Sequence, residues 1–300
     1  MNSLRKLQIS MLIKTLVDDI YNLVGGEDGV SNAIASNMGT DIAGAVQRSL
    51  GRQERRGIRL SGLGPKCPKA LWHSVHTPEL AEPLPPYAKI KYAYGHIIEH
   101  LIIGLAKAAG HDVTGEQDEL TVDGIVGHRD CVIDGAVFDI KSSSSRGFQK
   151  FKDKTIAEDD PFGYLDQIDA YVVGSSSDPL VTIKDRGYLL AVDKTLGHLC
   201  LYEHIVRPQS VHKRIDECKR IVERPRPPPC GCGTVIDGKS GNIILDVKAS
   251  YSPYKFCCFP NLRTFLYSSG PVFFTNVGKT PSYKGQPLTE LDKSGKYVYN

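Results

Sequence analysis

The chain has 300 residues, of which 41% are hydrophobic and 24% are charged, and its formal net charge is +3 at pH 7. This composition is typical of a globular protein with one large domain or two small ones, and no apolar run reaches the length of about 18 residues that a membrane span needs. Eight cysteines without an export signal favour a reducing cytoplasm over a disulfide scaffold.

The N-terminal segment, residues 1–86, is predicted to be helical at first and then to wrap the surface as irregular, basic structure. Apolar residues follow helical spacing within residues 1–24, which predicts an amphipathic helix rather than a signal peptide. We expect that helix to contribute to the core or to a homo-oligomer contact, and not to a membrane anchor. Residues 51–86 are rich in glycine, proline and basic side chains, which predicts irregular structure. The basic residues of this stretch include Arg52, Arg55 and Arg56.

The middle segment, residues 87–222, alternates helical and strand patterns in the way that is typical of an α/β fold. The first helical pattern stops at Gly110, a residue type that favours the C-terminal end of a helix. The predicted elements are a helix at 90–109, three strands between 119 and 142 with turns at Asp123-Gly124 and Asp134-Gly135, a helix at 163–173, and a hairpin of strands 187–192 and 198–205.

The second of these turns, Asp134-Gly135, predicts a β-hairpin with a defined register. A two-residue loop pairs position 133 with 136, so Asp130 is expected opposite Asp139. Strand alternation places Lys141 on the same face as Asp139, with His128 opposite it. Facing aspartates destabilise a sheet unless a positive charge lies between them, and a divalent cation would supply that charge. The alternative interpretation is a surface hairpin whose charges are solvated.

Asp130 followed by Asp139-Ile140-Lys141 resembles the PD-(D/E)XK nuclease superfamily. The resemblance implies an α/β fold with a restriction-endonuclease-like core, in which a mixed sheet of order α-β-β-β-α-β is flanked by helices. It also implies Mg²⁺ or Mn²⁺ bound by carboxylate oxygens, which suit hard cations, and a lysine that assists the attacking water. His128 is a secondary candidate at the edge of the site.

Two further motifs are similar to those of the RecB-like branch of this superfamily. Gly95-His96-Ile97-Ile98-Glu99 matches a Gly-x-x-x-Glu pattern, which makes Glu99 the third expected metal ligand beside Asp130 and Asp139. Gln167 and Tyr171 match Gln-x-x-x-Tyr, and their spacing of four places them on one helix face. The resemblance implies that both support the substrate or the catalytic residues.

The function implied is that of a DNA nuclease, most closely a phage-type exonuclease in the cytoplasm, or in the host cytoplasm if the protein is viral. Basic residues that follow the catalytic strand, Arg146, Lys150 and Lys152, are expected to contact DNA phosphates from a loop. Three alternatives remain open from the sequence: a structure-specific endonuclease, a DNA-binding module without catalytic activity, and an iron–sulfur or zinc redox protein.

The last segment, residues 223–300, is predicted to be a proline-rich linker and a C-terminal lobe that folds back toward Cys67. Cys67-Pro68-Lys69-Ala70-Leu71-Trp72 resembles the first cysteine motif of iron–sulfur nucleases, including those of CRISPR adaptation, in which a C-x2-C-x5-C motif follows the core. Here Ala249 and Ser252 occupy two of those ligand positions, so we expect that the cluster is lost. The alternative is that Cys230 and Cys232 replace them beside Cys67 and Cys258, for an iron–sulfur cluster or zinc.

Overall fold

The computed structural model describes residues 3–27, 29–51, 57–64, 66–238 and 240–291, with side chains from residue 11 onward. The basic residues Arg52, Arg55 and Arg56 therefore lie outside the described part of the chain. The chain divides into two compact units, which are Met1–Gly64 with Leu84–Asp216 and Pro65–Pro83 with Glu217–Asn300. Residues 65–83 thus belong to the same unit as the C-terminal segment, whereas the sequence grouped them with residues 1–64.

The helices are α1 (Ser3–Gly25), α2 (Asn32–Leu50), α3 (Pro68–His76), α4 (Pro86–Ala108), α5 (Ser145–Lys152), α6 (Tyr164–Gly174), α7 (Pro208–Val222), α8 (Val247–Ser250) and α9 (Lys255–Cys258). The strands of the first unit are β1 (Val113–Thr114), β2 (Glu119–Val122), β3 (Ile125–His128), β4 (Cys131–Ile133), β5 (Ala136–Ser143), β6 (Arg186–Asp193) and β7 (Leu199–Ile205). Those of the second are β8 (Thr234–Asp237), β9 (Asn242–Leu245), β10 (Arg263–Tyr267), β11 (Gly270–Asn276), β12 (Ser282–Tyr283), β13 (Gln286–Pro287) and β14 (Glu290–Leu291).

The first unit is built on a mixed sheet of strand order β1-β4-β5-β6-β7. Strand β5 lies at its centre, antiparallel to β4 and parallel to β6, while β6 and β7 form an antiparallel hairpin. A strand at the centre of a sheet with helices packed against it is buried, which agrees with the apolar sequence of β5. The expected α/β class is therefore confirmed. The predicted antiparallel pairing of β6 with β7 is also confirmed.

The main core lies between this sheet and the helices α1 and α4. Ile13 and Leu16 of α1, Ile103 of α4, Phe138 of β5 and Leu190 of β6 belong to one cluster of buried apolar side chains. Burial of a large apolar side chain contributes about 1.5–3 kcal/mol relative to exposure, so this cluster fixes β5 firmly in place. The expected amphipathic N-terminal helix is thus confirmed as an element of the core.

The Asp134-Gly135 hairpin has the predicted register, because Ile133 pairs with Ala136 and Cys131 with Phe138. Asp134 and Gly135 both have positive φ angles, of 48° and 77°. Two consecutive residues with positive φ are required by the type I′ turn, whose twist matches that of the flanking strands.

Three predictions about local structure are wrong. Residues 51–86 are not wholly irregular, since they contain the helix α3. Four strands occupy 119–142 instead of three, because residues 129 and 130 interrupt the predicted middle strand and divide it into β3 and β4. The basic stretch after β5 is the helix α5 and not a loop. Its Phe148 and Phe151 are buried, and Ser144 caps its N-terminus.

The second unit contains a separate sheet of strand order β14-β10-β11-β9-β8. Its buried apolar cluster is small, with Leu245, Ala249 and Leu262 at the centre and partly buried neighbours that include Cys232. The predicted linker, residues 223–229, has no helix or strand. Within the residues described, none of the helices has the length and apolar character needed to cross a membrane.

Candidate functional site

Asp139 and Lys141 form an ion pair on β5, and Gln167 of α6 joins them. The Lys141 Nζ atom lies 2.6 Å from Asp139 Oδ2. Gln167 accepts a hydrogen bond from Lys141 Nζ at 3.1 Å and donates one to Asp139 Oδ1 at 3.1 Å. Strand alternation directs both charged side chains to one face, as the sequence predicted. Asp139 is fully buried, so these partners offset the cost of taking its charge out of water.

The helix α6 presents three residues to this pair. Gln167 Nε2 also donates a hydrogen bond to the Tyr171 hydroxyl at 2.8 Å, and the Lys141 ammonium lies 4.7 Å from the centre of the Tyr164 ring. Tyr164, Gln167 and Tyr171 are spaced by three and four residues and therefore share a helix face. Burial raises the pKa of Tyr171, and the negative charges of Asp139 and Asp130 add to that effect, so this hydroxyl stays protonated.

Asp130 lies just outside the regular hairpin ladder, which ends at the pair of Cys131 and Phe138. Its carboxylate accepts a hydrogen bond from the Ile140 backbone N–H at 2.7 Å, between the two charged residues of β5. The predicted strand pair of Asp130 and Asp139 is therefore replaced by a side-chain contact to the neighbouring backbone. The carboxylate still reaches the same part of the sheet.

Burial and mutual repulsion act together on the charges of this site. Burial raises the pKa of Asp130 well above its usual range, and the charges of Asp139 and Glu99 raise it further. Burial also raises the pKa of Asp139, although Lys141 opposes that shift. Burial by itself would lower the pKa of Lys141, but Asp139 and Asp130 outweigh it and raise the pKa. The lysine is thus held in its charged form.

Glu99 is a buried carboxylate on α4. Its Oε1 atom accepts a hydrogen bond from Gln117 Nε2 at 2.6 Å, and His96 Nδ1 lies 3.4 Å from Oε2. A buried carboxylate requires such partners. His100, the other histidine beside it, is buried, and its Nδ1 atom has no hydrogen-bond partner among the described residues.

The three carboxylates influence one another electrostatically but are not gathered as tightly as the ligands of a single ion. Among the described residues, the metal-ligating side chains that lie close enough together to hold one ion are four cysteines, Cys67, Cys230, Cys232 and Cys258. Glu99, Asp130 and Asp139 do not form such a group.

The prediction that His128 faces Lys141 is wrong. His128 is the last residue of β3, where it pairs with Glu119 of β2 in a separate two-stranded sheet. Its Nε2 atom lies 3.8 Å from Glu119 Oε2 on an exposed surface. The interruption of the strand at residues 129 and 130 removes the continuous register on which the prediction depended. Arg129 is fully buried there and binds Asp118 and Asp178 at 2.6 Å and 2.5 Å.

The residues predicted to bind DNA lie on or beside the amphipathic helix α5. Arg146 and Lys152 are exposed, whereas Lys150 lies 2.5 Å from the carboxylate of Asp159 and donates a further hydrogen bond to its backbone carbonyl. The positive charge of Lys150 is therefore already compensated. Arg146 and Lys152 remain the stronger candidates for phosphate contact.

Two residues of this site were missed by the sequence analysis, Gln117 and Tyr164. Tyr164 extends the face of Gln167 and Tyr171 by one turn toward the N-terminus, so the helical periodicity could have revealed it. Gln117 gives no such signal. It lies between short strands with a positive φ of 56°, and its side chain reaches Glu99 only because the chain turns there.

A second cluster, which we call the cysteine cluster, lies within the second unit and consists of Cys67, Cys230, Cys232 and Cys258. The four sulfur atoms all lie within 4.8 Å of one another. Hydrogen bonding with Cys232 and Cys258 lowers the pKa of Cys67, whereas hydrogen bonding with Cys258 and Cys67 raises the pKa of Cys232.

The cysteine cluster shows that the four sulfurs converge although two positions of the expected motif are substituted. Ala249 is buried in the apolar cluster of the second unit, and the Ser252 hydroxyl accepts a hydrogen bond from the Tyr254 N–H at 3.3 Å. The expectation of a lost site rested on these substitutions. The structure instead places Cys230 and Cys232 beside Cys67 and Cys258, which is compatible with a metal or iron–sulfur site.

Comparisons with known proteins add little to this description. No family model matches the chain, and no match was found among curated proteins. Among solved structures, the chain is similar to one described as "Crystal structure of SSO0001", with 14% sequence identity and a TM-score of 0.41 over 75% of this chain and 96% of that chain. Similarity at this level supports no inference about function.

Proposed function

We propose that the chain is a metal-dependent deoxyribonuclease with the PD-(D/E)XK core, and that it acts as an exonuclease. The observation that carries the proposal is the Asp139–Lys141 ion pair at the centre of a mixed sheet, on which the charges of Glu99 and Asp130 act. A hairpin followed by a parallel strand gives this pair the strand environment that the resembled superfamily implies. The helix that bears Gln167 and Tyr171 follows in the corresponding place.

The charge balance of the site favours a bound cation. Glu99, Asp130 and Asp139 supply three carboxylates, whereas Lys141 supplies one ammonium, so the ionised site carries excess negative charge in a largely buried place. Such a charge is unfavourable unless it is paired. Carboxylate oxygens are the ligands that Mg²⁺ and Mn²⁺ prefer, so the donor chemistry suits these ions, and the three carboxylates would have to draw closer together to bind one ion. When bound, the ion would polarise a phosphate oxygen and lower the pKa of a coordinated water.

The protein residues have separate roles in this proposal. Because the pKa of Lys141 is raised, its ammonium donates hydrogen bonds and does not accept the proton of an attacking water. It therefore stabilises negative charge on the phosphate or orients that water. Gln167 fixes the ammonium beside Asp139, and Tyr171 fixes Gln167 through their 2.8 Å hydrogen bond. Such positioning lowers the entropy cost of reaching the reactive geometry.

The proposed substrate is DNA, and α5 provides the surface for its backbone. Arg146 and Lys152 are exposed on a helix that begins two residues after the end of the catalytic strand. Each phosphate contact by a cation releases a counterion, which gives affinity without sequence specificity. A polyanionic substrate of no fixed sequence suits such a surface.

Cleavage assays on three forms of DNA test this proposal and its alternatives. We expect wild type to degrade linear DNA in Mg²⁺ or Mn²⁺, to leave covalently closed circles intact, and to be inactive with EDTA. Digestion of 5′-blocked and 3′-blocked DNA then gives the polarity. Cleavage of circles would replace the exonuclease by an endonuclease of the same fold. DNA binding without any cleavage would leave the non-catalytic binding module.

A further inference from the structure

We propose that Cys67, Cys230, Cys232 and Cys258 bind one zinc ion, with each sulfur as one of four tetrahedral ligands. The site lies wholly within the second unit and is independent of the proposed nuclease activity. Cys67 Sγ lies 3.8 Å from Cys230 Sγ and 3.6 Å from Cys258 Sγ, and all four sulfurs lie within 4.8 Å of one another.

These distances match those of a single ion. A zinc–sulfur bond of about 2.3 Å in a regular tetrahedron places the sulfurs about 3.8 Å apart. In a four-iron cluster each cysteine binds a different iron atom, and in a two-iron cluster two cysteines bind each iron. In both, inorganic sulfide lies between the irons, so the four thiolates cannot all lie as close together as they do around one ion. The close sulfur set therefore favours a mononuclear ion over a cluster. Among the divalent ions of iron and zinc, thiolate sites bind zinc more tightly.

The chain around the sulfurs is shaped for this arrangement. The Gly231 N–H donates to Cys67 Sγ and the Cys232 N–H donates to Cys230 Sγ, both at 3.3 Å. Backbone donors of this kind stabilise thiolate charge and orient the ligands of a metal. A Cβ atom at Gly231 would lie 2.9 Å from Pro68 Cδ. Glycine thus permits the close approach that brings the Cys-Gly-Cys segment to Cys67.

The ion would act as a structural link, because all four tetrahedral positions are filled by the protein and none is open to a substrate. Cys67 and Cys230 are separated by 163 positions along the chain, so one ion would close a very long loop. The buried apolar cluster of this unit has only a few members among the described residues. Units with small cores often depend on metal binding for their stability.

The single tryptophan of the chain reports on this unit. Trp72 belongs to α3, which begins directly after Cys67. Its Nε1–H donates to the Arg224 carbonyl at 2.8 Å, and its ring stacks on His76 with centroids 4.2 Å apart. Loss of the ion should disrupt these contacts and change the Trp72 fluorescence.

The test combines elemental analysis with fluorescence on the full-length protein. We expect about one zinc per chain in wild type, near-complete loss of zinc in Cys67→Ser and Cys232→Ser, and normal zinc content in the control Cys257→Ser, whose thiol lies next to Cys258 but outside the cluster. A zinc chelator should change Trp72 fluorescence, and zinc should restore it. If the serine variants fail to fold, Co²⁺ exchange into wild type still tests the site, because a tetrahedral tetrathiolate gives intense visible absorption.

Four results would overturn the proposal. The first two are iron found together with acid-labile sulfide, and a single iron atom bound per chain. The others are disulfide bonds among the four cysteines, and a metal-free protein whose Trp72 fluorescence does not change when the chelator is added. The Asp139→Asn variant should keep its zinc, so a failure of the nuclease proposal and a failure of the zinc proposal give different results.

Discussion

Replacing Asp130 by asparagine should stabilise the metal-free protein while it removes a proposed metal ligand. Asparagine can still accept the hydrogen bond from the Ile140 N–H, so the change removes the charge and keeps the contact. The charges that repel Asp130 are those of Asp139 and Glu99. The variant therefore isolates the electrostatic cost of bringing these carboxylates together.

The order of magnitude follows from Coulomb's law. For a charge separation taken as about 5.5 Å, two like charges repel by about 3 kcal/mol at the effective dielectric constant of about 20 that suits a partly buried group. Attraction to Lys141 offsets part of this repulsion. A net gain of about 1–2 kcal/mol remains, which raises the melting temperature of a domain of this size by about 2–8 °C.

The pH dependence of this gain has a definite sign. Because the pKa of Asp130 is raised in the folded state, the folded protein holds the proton more tightly than the unfolded chain. The Asp130 charge therefore destabilises wild type most at pH values above the folded-state pKa. This destabilisation vanishes once the pH falls below the usual aspartate pKa of about 3.9. The difference in melting temperature between Asp130→Asn and wild type should therefore shrink as the pH falls through this range.

Thermal unfolding followed by circular dichroism, in metal-free buffer across this pH range, measures the effect. The control is Asp112→Asn, which removes one charge from an exposed position and should leave the melting temperature unchanged. Added Mg²⁺ should stabilise wild type and not Asp130→Asn, since a ligand stabilises only the state that binds it. A variant that is no more stable than wild type at about pH 8 would refute the electrostatic description of the site.

Three further predictions test other parts of the molecule. Gln167→Ala should lower the cleavage rate about 10- to 100-fold through misplacement of the lysine, with little loss of DNA affinity; an unchanged rate would remove Gln167 from the site. Neutralising Arg146 and Lys152 together should reduce the slope of log affinity for duplex DNA against log salt by nearly 2, whereas Lys150→Gln should change it little because Asp159 already pairs with that charge; equal effects would contradict this distinction. Hydrogen bonding to Asp134 raises the pKa of His111, so its stabilising contribution should be full below about pH 6.5 and lost as the pH rises through the folded pKa; a His111→Gln variant with the wild-type pH profile of unfolding would disprove it.

The parts of the site that the sequence predicted depend on local rules. A two-residue turn fixes a hairpin register, and strand alternation then places Asp139 and Lys141 on one face. Helical spacing likewise pairs Gln167 with Tyr171. These relations involve few residues and are independent of the rest of the fold. They are therefore visible in the sequence alone.

The parts that the sequence did not predict depend on long-range contacts. The strand is interrupted at Arg129, whose buried guanidinium binds Asp118 and Asp178, and Asp178 is far away in sequence. The contact of Gln117 with Glu99 depends on a turn between short strands. The convergence of Cys67 with Cys230 depends on packing across 163 positions. Such contacts form only when the whole unit folds.

The basic stretch after β5 forms a helix whose apolar side chains are buried. The prediction of a loop depended on the positive charges of this stretch. Phe148 and Phe151, which are three positions apart, instead form one apolar stripe along a helix. The helix α5 buries that stripe and leaves Arg146 exposed. A test of its apolar periodicity would have predicted the helix from the same residues.

The most direct test of the proposed activity is the single-turnover rate of linear DNA cleavage in Mg²⁺ by wild type, Asp139→Asn and the control Asp112→Asn. Asp139 contacts both Lys141 and Gln167, so its charge is the element that the proposed site cannot lose. We predict cleavage by wild type and by the control, and a rate for Asp139→Asn at least about 100-fold lower with DNA affinity equal or higher. An Asp139→Asn variant that keeps a tenth of the wild-type rate would contradict the assignment of this hairpin as the catalytic metal site.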